Sequence, residues 1–480
     1  MRNTDYVAIG TVGVVGLGTM GAGIAEVFGR SGLSVVAVEL DEKLVAVGRD
    51  RIEKSLARAV DRGRLEGAER DAVLGRMTFT HERARLAGAD LVIEAVPERL
   101  EVKAALFDEL DRICPPDTIL ATNTSSLPVT QIAAATGRPG RVVGKHFFNP
   151  APVMRLVEVV HTVLTDADAV ESIRELAERC GKTPVVVIDR AGFVANALLF
   201  GYLNQAARMA ETRHATIADI DVAMTSACGL PMGPLTLMDL IGLDVCLEVL
   251  EVMYAETRDQ RYAAAPLLRR LVMARHLGRK TGRGYYSYDA KTPVPIAVTA
   301  NHVAAPAAGG REAAAIEVIG ADTGAAEGVA KLLNTAGLDV SRAGSDADLV
   351  VHVPAAPRQS VVVELAPRTA AGRAALARVR AALEGASHTV VVCKDRPGYL
   401  VEALLFPHLN DAVRMVDEEY ASRQDVDAAM RMGCGYPEGP FEMLAPVGAG
   451  FVAERLLSIA AAMPSAATAP SPLLRELADL

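Results

Sequence analysis

Apolar and polar positions follow a repeating rhythm along the first part of this chain. Val12-Gly13-Val14-Val15 is a short continuous apolar run, as expected of a strand covered on both faces. Residues 22–30 then repeat apolar positions at helical spacing, the pattern breaks at Gly32, and Leu33-Ser34-Val35-Val36-Ala37-Val38 reads as a second strand. Strand-like runs at 89–96 and 118–122 again alternate with helical stretches. This βαβ rhythm predicts a doubly wound parallel sheet. In such sheets ligands gather beyond the carboxyl ends of the strands. Glu98, Asn123, Ser125 and His146 all fall just after predicted strand ends, so the fold can bring them together although they are far apart in sequence.

Between the first strand and the first helix stands Gly16-Leu17-Gly18-Thr19-Met20-Gly21. Gly16 permits a tight turn, Gly18 lets backbone approach a pyrophosphate, and Gly21 allows the helix to pack on the strand. The helix N-terminus then offers free N–H groups and the positive end of its dipole. A Gly-x-Gly-x-x-Gly alone is a weak signal, and the competing reading is a glycine turn that binds nothing. Here it lies between a strand and a helix, and Glu39 closes the second strand 18 residues after Gly21. A carboxylate there bonds ribose hydroxyls and repels a 2′-phosphate, which favours NAD over NADP.

A second constellation surrounds His146. The run Arg141-Val142-Val143-Gly144 delivers it to the point where a strand would hand over to a loop. Pro150 and Pro152 deny a helix to the connection, so the chain must double back in extended form. Glu158 follows twelve residues after His146, inside another apolar run, and can return beside the imidazole. A carboxylate partner orients a histidine and raises its basicity, as a general base requires. A lone histidine is more often a core residue satisfied by backbone. With Glu158, Ser125 and the nucleotide turn present, the catalytic reading is favoured.

Composition narrows the class. The 480 residues are too many for one core and predict two to four domains. A net charge of −9 without basic blocks argues against nucleic-acid binding. The six cysteines show no Cys-x-x-Cys spacing, so neither a metal cluster nor a disulfide framework is expected. No signal-like N-terminus and no run long enough to span a bilayer is found. Asn123-Thr124-Ser125 is then a chance match to a glycosylation pattern. The expectation is a cytoplasmic protein without a membrane segment.

Taken together, the motifs resemble the 3-hydroxyacyl-CoA dehydrogenase family, including bacterial 3-hydroxybutyryl-CoA dehydrogenases. The matching pieces are Gly16-Leu17-Gly18-Thr19-Met20-Gly21-Ala22-Gly23, Val92-Ile93-Glu94-Ala95-Val96-Pro97-Glu98, Asn123-Thr124-Ser125-Ser126 and His146-Phe147-Phe148-Asn149-Pro150. Asp189-Arg190-Ala191-Gly192-Phe193-Val194-Ala195-Asn196 and Gly282-Arg283-Gly284-Tyr285-Tyr286 complete the set. The resemblance covers residues 12 to about 290 in the family's order. It implies NAD as cofactor and an acyl-CoA as substrate, of short chain such as 3-hydroxybutyryl-CoA. His146 would be the general base, Glu158 its orienting partner, and Ser125 and Asn196 the donors to the reacting oxygen. Gly16, Gly18, Thr19, Met20, Gly21 and Glu39 would hold the cofactor. Glu98, Lys103, Asn149 and Lys280 would add contacts to it, and Ser55 and Arg62 would meet the CoA portion. From pattern alone, Lys103, Ser55 and Arg62 read as solvated helix faces; their roles rest on the resemblance.

The chain also repeats itself at a constant offset of 206. Asp189-Arg190-Ala191-Gly192-Phe193 returns as Asp395-Arg396-Pro397-Gly398-Tyr399, and Cys228-Gly229-Leu230-Pro231 returns as Cys434-Gly435-Tyr436-Pro437. The predicted organisation is a Rossmann-type NAD domain (1–188), a helical domain (189–290), a Pro/Ala-rich linker (291–311), a degenerate Rossmann-like domain (312–394) and a second helical copy (395–480). In the second half Glu402 replaces Asn196, and Asp322 stands where Gly18 stood, which argues against a second dinucleotide site. His352 falls opposite His146 at the 206 offset, with Glu364 opposite Glu158. However, Ala347-Asp348-Leu349-Val350-Val351 aligns better with Ala89-Asp90-Leu91-Val92-Ile93, which pairs His352 with Glu94 and predicts no second active site. The second helical copy is expected to act as a pseudo-partner of the first, replacing or extending a dimer interface made by helical domains.

Two other readings compete with the dehydrogenase of an acyl-CoA. One is an NAD-dependent dehydrogenase of a free hydroxy acid or sugar acid on a related fold, separable by its indifference to CoA. The other is a non-catalytic NADH-binding protein, against which the intact set Ser125, His146, Glu158 and Asn196 weighs.

Overall fold

The computed structural model describes residues 9–289, 292–296, 314–320, 323–341, 346–357, 362–462 and 468–478. It comprises two compact units, Met1–Asn196 with Ala428–Cys434, and Ala197–Asp427 with Gly435–Leu480.

The first unit is built on eight strands, β1 (Thr11–Val15), β2 (Ser34–Val38), β3 (Met77–Thr80), β4 (Leu91–Glu94), β5 (Ile119–Thr122), β6 (Val142–Phe147), β7 (Leu156–His161) and β8 (Thr183–Ile188). Their order is β3-β2-β1-β4-β5-β6-β7-β8. β1, β4 and β5 are apolar runs because helices cover the sheet on both faces. The covering helices are α1 (Thr19–Arg30), α2 (Glu42–Asp61), α3 (Gly67–Gly75), α4 (Leu100–Ile113), α5 (Val129–Ala133) and α6 (Ala167–Arg179). Val14, Ile24, Phe28, Ile93, Val143 and Val157 are among the residues that fill the core.

The sheet departs from the predicted all-parallel form at one place. β7 runs antiparallel to β6, and β8 follows β7 in parallel. A parallel return needs a crossover of roughly a dozen or more residues. Residues 148–155 are too few and carry Pro150 and Pro152, so the chain turns straight back. His146 therefore lies inside β6 rather than beyond its end, and the register sets it directly opposite Glu158.

The second unit holds both helical copies except the start of the first and the end of α15. The first copy continues from α7 (Ala195–Glu211) through α8 (Ile217–Cys228), α9 (Pro234–Ile241), α10 (Leu243–Thr257) and α11 (Pro266–Met273). A short ribbon of β9 (Tyr286–Ser287) and β10 (Val294–Pro295) follows. Most of the predicted linker, including Gly309-Gly310, lies outside the described residues, as does Asp322.

A five-stranded sheet comes next, ordered β12-β11-β13-β14-β15, from β11 (Ile316–Gly320), β12 (Val340–Ser341), β13 (Leu349–Val353), β14 (Val362–Pro367) and β15 (Thr389–Val392). α12 (Thr323–Thr335) and α13 (Ala370–Gly385) accompany it. The second copy is α14 (Val401–Asp417), α15 (Arg423–Cys434), α16 (Pro440–Val447), α17 (Ala449–Ala462) and α18 (Pro472–Glu476). Each of these five helices begins 206 residues after its counterpart in α7–α11.

The hydrogen bonds repeat as well. Asn204 donates from Nδ2 to the Ala263 carbonyl and accepts from Ala265 N, while Asn410 donates to the Ala469 carbonyl and accepts from Ser471 N. Tyr202 and His408, equivalent positions of the two copies, face each other with ring centroids 5.4 Å apart. Contact between equivalent positions is what a two-fold interface produces.

The small sheet corrects one alignment. β13 starts as β4 does: it runs parallel to β11, and Asp348 accepts from Ala315 N as Asp90 accepts from Gly10 and Thr11 N. It ends as β6 does, antiparallel to β14 with His352 opposite Glu364. One strand thus stands where the first sheet has two. His352 pairs with Glu364 and is the counterpart of His146, not of Glu94.

Candidate active site

The nucleotide turn has the shape its glycines predict. Gly16 adopts a left-handed backbone, φ 89°, and a Cβ on Gly21 would lie 1.7 Å from the Gly16 carbonyl oxygen. Around Gly18 nothing lies within 4 Å of where a Cβ would be, which leaves room for a phosphate against the backbone. No side chain caps the start of α1 and no acidic residue sits in its first turn, so its N–H groups remain for an anion. Thr19 is exposed at that end and Met20 is half-buried against the core. Glu39 accepts from Leu17 N at 2.7 Å and from Leu40 N at 3.0 Å, which fixes its carboxylate beside the turn. These residues fit NAD.

His146 and Glu158 form a buried pair. Nδ1 of His146 lies 2.7 Å from Glu158 Oε2, and the other carboxylate oxygen accepts from the amides of Val194 and Ala195, each at 3.0 Å. Glu158 is fully buried and His146 is 5% exposed. With Oε1 taken by the two amides, Oε2 is the oxygen that faces Nδ1, and an imidazole donating from Nδ1 carries its lone pair on Nε2. Nε2 has no hydrogen-bond partner among the described residues. The rings of Phe148 and Phe193 stand 4.5 and 5.7 Å from the imidazole centroid and exclude water from its flanks.

Glu98 organises the turn that carries Ser125. One of its oxygens accepts from Thr124 Oγ1 at 2.6 Å, Ser125 N at 2.8 Å, Ser125 Oγ at 3.3 Å and Ser126 N at 3.2 Å. Burial works against its charge, yet Lys103 and these donors hold its carboxyl below the usual range. Lys103 is almost wholly buried. It donates to both oxygens of Glu94, at 2.8 and 2.9 Å, and reaches Glu98 at 3.2 Å. Its ammonium is thereby committed to Glu94 and Glu98, so it supports the turn from beneath instead of facing a ligand as the resemblance implied. Asn196 donates from Nδ2 to the Ser125 carbonyl at 3.2 Å, which joins it to the turn that carries Ser125.

Ser55 and Asn149 both line a hollow of about 260 Å³ beside Thr19. Arg51, Lys54 and Arg58 share its wall, and the pattern of charges along α2 had not distinguished them. Arg62 caps the C-terminus of α2, exposed and outside that wall. Lys280 belongs to the second unit, where it pairs with both oxygens of Asp244, at 2.5 and 2.6 Å. Glu94, Phe148 and the already expected Asn123, whose Oδ1 accepts from Phe147 N at 2.9 Å, also shape the site. All three lie inside the quoted motifs, but only register shows what they touch.

Comparison with known proteins identifies the family. The model of the 3-hydroxyacyl-CoA dehydrogenase NAD-binding domain matches residues 11–190, and that of the C-terminal domain matches twice, at 192–288 and 398–480. The chain is 50% identical over 283 residues to a 3-hydroxybutyryl-CoA dehydrogenase of Mycobacterium tuberculosis (strain ATCC 25618 / H37Rv), spanning 58% of this chain and 99% of that protein. It is 36% identical over 446 residues to the 3-hydroxyadipyl-CoA dehydrogenase of Escherichia coli (strain K12), spanning 91% of each. A crystal structure of 3-hydroxybutyryl-CoA dehydrogenase from Escherichia coli K12 matches with a TM-score of 0.82 at 34% identity, covering 98% of both chains. The chain belongs to the 3-hydroxyacyl-CoA dehydrogenase family of NAD-dependent oxidoreductases.

Proposed function

We propose that the protein interconverts (S)-3-hydroxyacyl-CoA and 3-oxoacyl-CoA of short chain, with His146 as general base. The observation that carries this reading is the buried His146–Glu158 pair with Nε2 unengaged. In the oxidative direction Nε2 takes the proton of the 3-hydroxyl. Glu158 stabilises the imidazolium that forms, itself held by Val194 and Ala195. Such proton transfer contributes about 10²–10⁴-fold. Ser125 Oγ and Asn196 Nδ2 donate to the reacting oxygen as charge develops on it. Bound NAD supplies the hydride acceptor; Gly16, Gly18, Thr19, Met20, Gly21 and Glu39 would hold it, with Asn149 and Lys280 as further contacts. Ser55, with Lys54 and Arg58 of the same hollow and Arg62 beyond it, would meet the phosphates of CoA.

NADH oxidation measured across 3-oxoacyl-CoAs of graded length tests this. Acetoacetyl-CoA should be reduced and free acetoacetate should not; reduction of the free acid at equal rate contradicts the reading. A second substrate reading has its own observation. The E. coli relative that matches nearly the whole chain is named a 3-hydroxyadipyl-CoA dehydrogenase. An acyl chain ending in a carboxylate therefore belongs in the same panel.

The facing Tyr202 and His408 support a pseudo-dimer of helical copies within one chain, and sedimentation shows whether a homodimer forms in addition. A cytoplasmic location is part of the proposal: none of the six cysteines is in a disulfide, and no single helix among the described residues is long and apolar enough to cross a membrane.

A further inference from the structure

Residues Ala428–Cys434, the end of α15, belong to the first unit although the rest of the second helical copy does not. A Cβ on Gly433 would lie 2.6 Å from Leu156 Cδ2 and 3.0 and 3.2 Å from Cε1 and Cζ of Phe148. Both neighbours bear on the catalytic pair. The Phe148 ring is 4.5 Å from the His146 imidazole. Leu156 is two residues before Glu158 in β7 and so shares its face of the sheet.

The glycine itself is informative. The equivalent position in the first copy, 206 residues earlier, is Ala227. Glycine within a helix costs roughly 0.5–1 kcal/mol relative to alanine. No turn requires it, because Gly433 lies within α15 and the left-handed residue that ends the helix is Gly435, φ 72°. The methyl group that Ala227 carries is absent at Gly433, where Leu156 and Phe148 leave no room for it.

We propose that Gly433 is a positioning residue: the end of α15 seats Phe148 and Leu156 and so fixes the orientation of His146 and Glu158. The duplicated copy then serves the one active site through this residue, and this rests on His146 being the base. A displacement of about 1 Å at a catalytic group can cost 10²-fold in rate, so a small wedge is enough.

The test uses the full-length chain. Gly433→Val should lower kcat about 10- to 100-fold with KM for NADH changed by less than about twofold. It should also shift the titration of His146 followed by NMR. Gly433→Ala should give a smaller effect in the same direction, and Leu156→Val in the Gly433→Ala background should restore kcat by removing the nearest atom. Unchanged kcat and unchanged His146 titration in a folded Gly433→Val protein would overturn the proposal. So would a loss of rate that only tracks the loss of folded protein. If the valine variant does not fold, the alanine variant and its rescue decide. If the wild type fails to reduce acetoacetyl-CoA, the proposed function falls, while the NMR titration still reads whether Gly433 positions His146.

Discussion

Two histidine–glutamate pairs among the described residues share their wiring, and the proposed function gives a proton to only one of them. His146 faces Glu158 and His352 faces Glu364 across antiparallel strands, with Nδ1 to Oε2 distances of 2.7 and 2.5 Å. Glu158 is held by the amides of Val194 and Ala195, and Glu364 by those of Leu400 and Val401, the equivalent positions. Even the aromatic residue before those amides is strained alike, with φ 47° at Phe193 and 44° at Tyr399.

The difference lies at Nε2. At the first pair Asn196 leaves it open. At the second, Glu402 stands 3.4 Å from it, itself paired with Arg455, and Ala355 replaces Asn149. His352 is fully buried; burial opposes its charge, but Glu364 and Glu402 outweigh that and raise it to about 9. It is therefore an imidazolium at neutral pH and cannot accept a proton. A dyad alone does not make a base; what faces its other nitrogen does.

Importing that difference should have the largest effect. Asn196→Glu places a carboxylate where Glu402 stands, keeps His146 protonated and removes a donor to the reacting oxygen. We expect kcat at pH 7 to fall about 100-fold or more, with partial recovery as the pH is raised. A pH–rate profile no different in shape from that of the wild type would break the comparison.

The second pair should report in stability instead of rate. The pKa of His352 is raised in the folded state above the ordinary value of about 6.5. Its stabilisation is thus complete below that pH and is lost as pH rises through about 9. The contribution is on the order of 3 kcal/mol. Thermal unfolding followed from pH 6 to pH 10 should show Tm falling across that window, and Glu402→Gln should flatten the fall while leaving kcat within about threefold.

A smaller contrast sits beside each histidine. Lys145 is fully buried between the rings of Phe28 and Phe147, its Nζ without a hydrogen-bond partner, and burial pulls it down to about 8; Val351 takes its place in the second copy. Because the folded pKa lies below the unfolded one, protonated Lys145 destabilises the fold at neutral pH. Lys145→Met should raise Tm by a few degrees at pH 7, equivalent to about 1 kcal/mol. The gain should shrink as pH rises above about 8.

The pairing of His146 with Glu158 could be read from the sequence. His146, Glu158 and the glycine turn are local signals whose spacing matches a strand–turn period, and the 206 offset exposed the copied helices. What escaped depends on register and burial. The sheet reverses at β7 because of a short connection, and β13 begins like one ancestral strand and ends like another, so alignment of either half alone misplaces its partner. Lys103 occupies a helix position that resembles a solvated face, yet Glu94 and Glu98 draw it into the core. Gly433 carries no side chain to attract notice; only its distance from Leu156 and Phe148 gives it meaning.

The most direct measurement sets the two histidines against each other. His146→Ala and His352→Gln are assayed with acetoacetyl-CoA and NADH at pH 7, both proteins shown to be folded. The account predicts a loss of about 10²–10⁴-fold in kcat for His146→Ala and a change of less than about threefold for His352→Gln. Full turnover by His146→Ala, or an equal loss in folded His352→Gln, would contradict it.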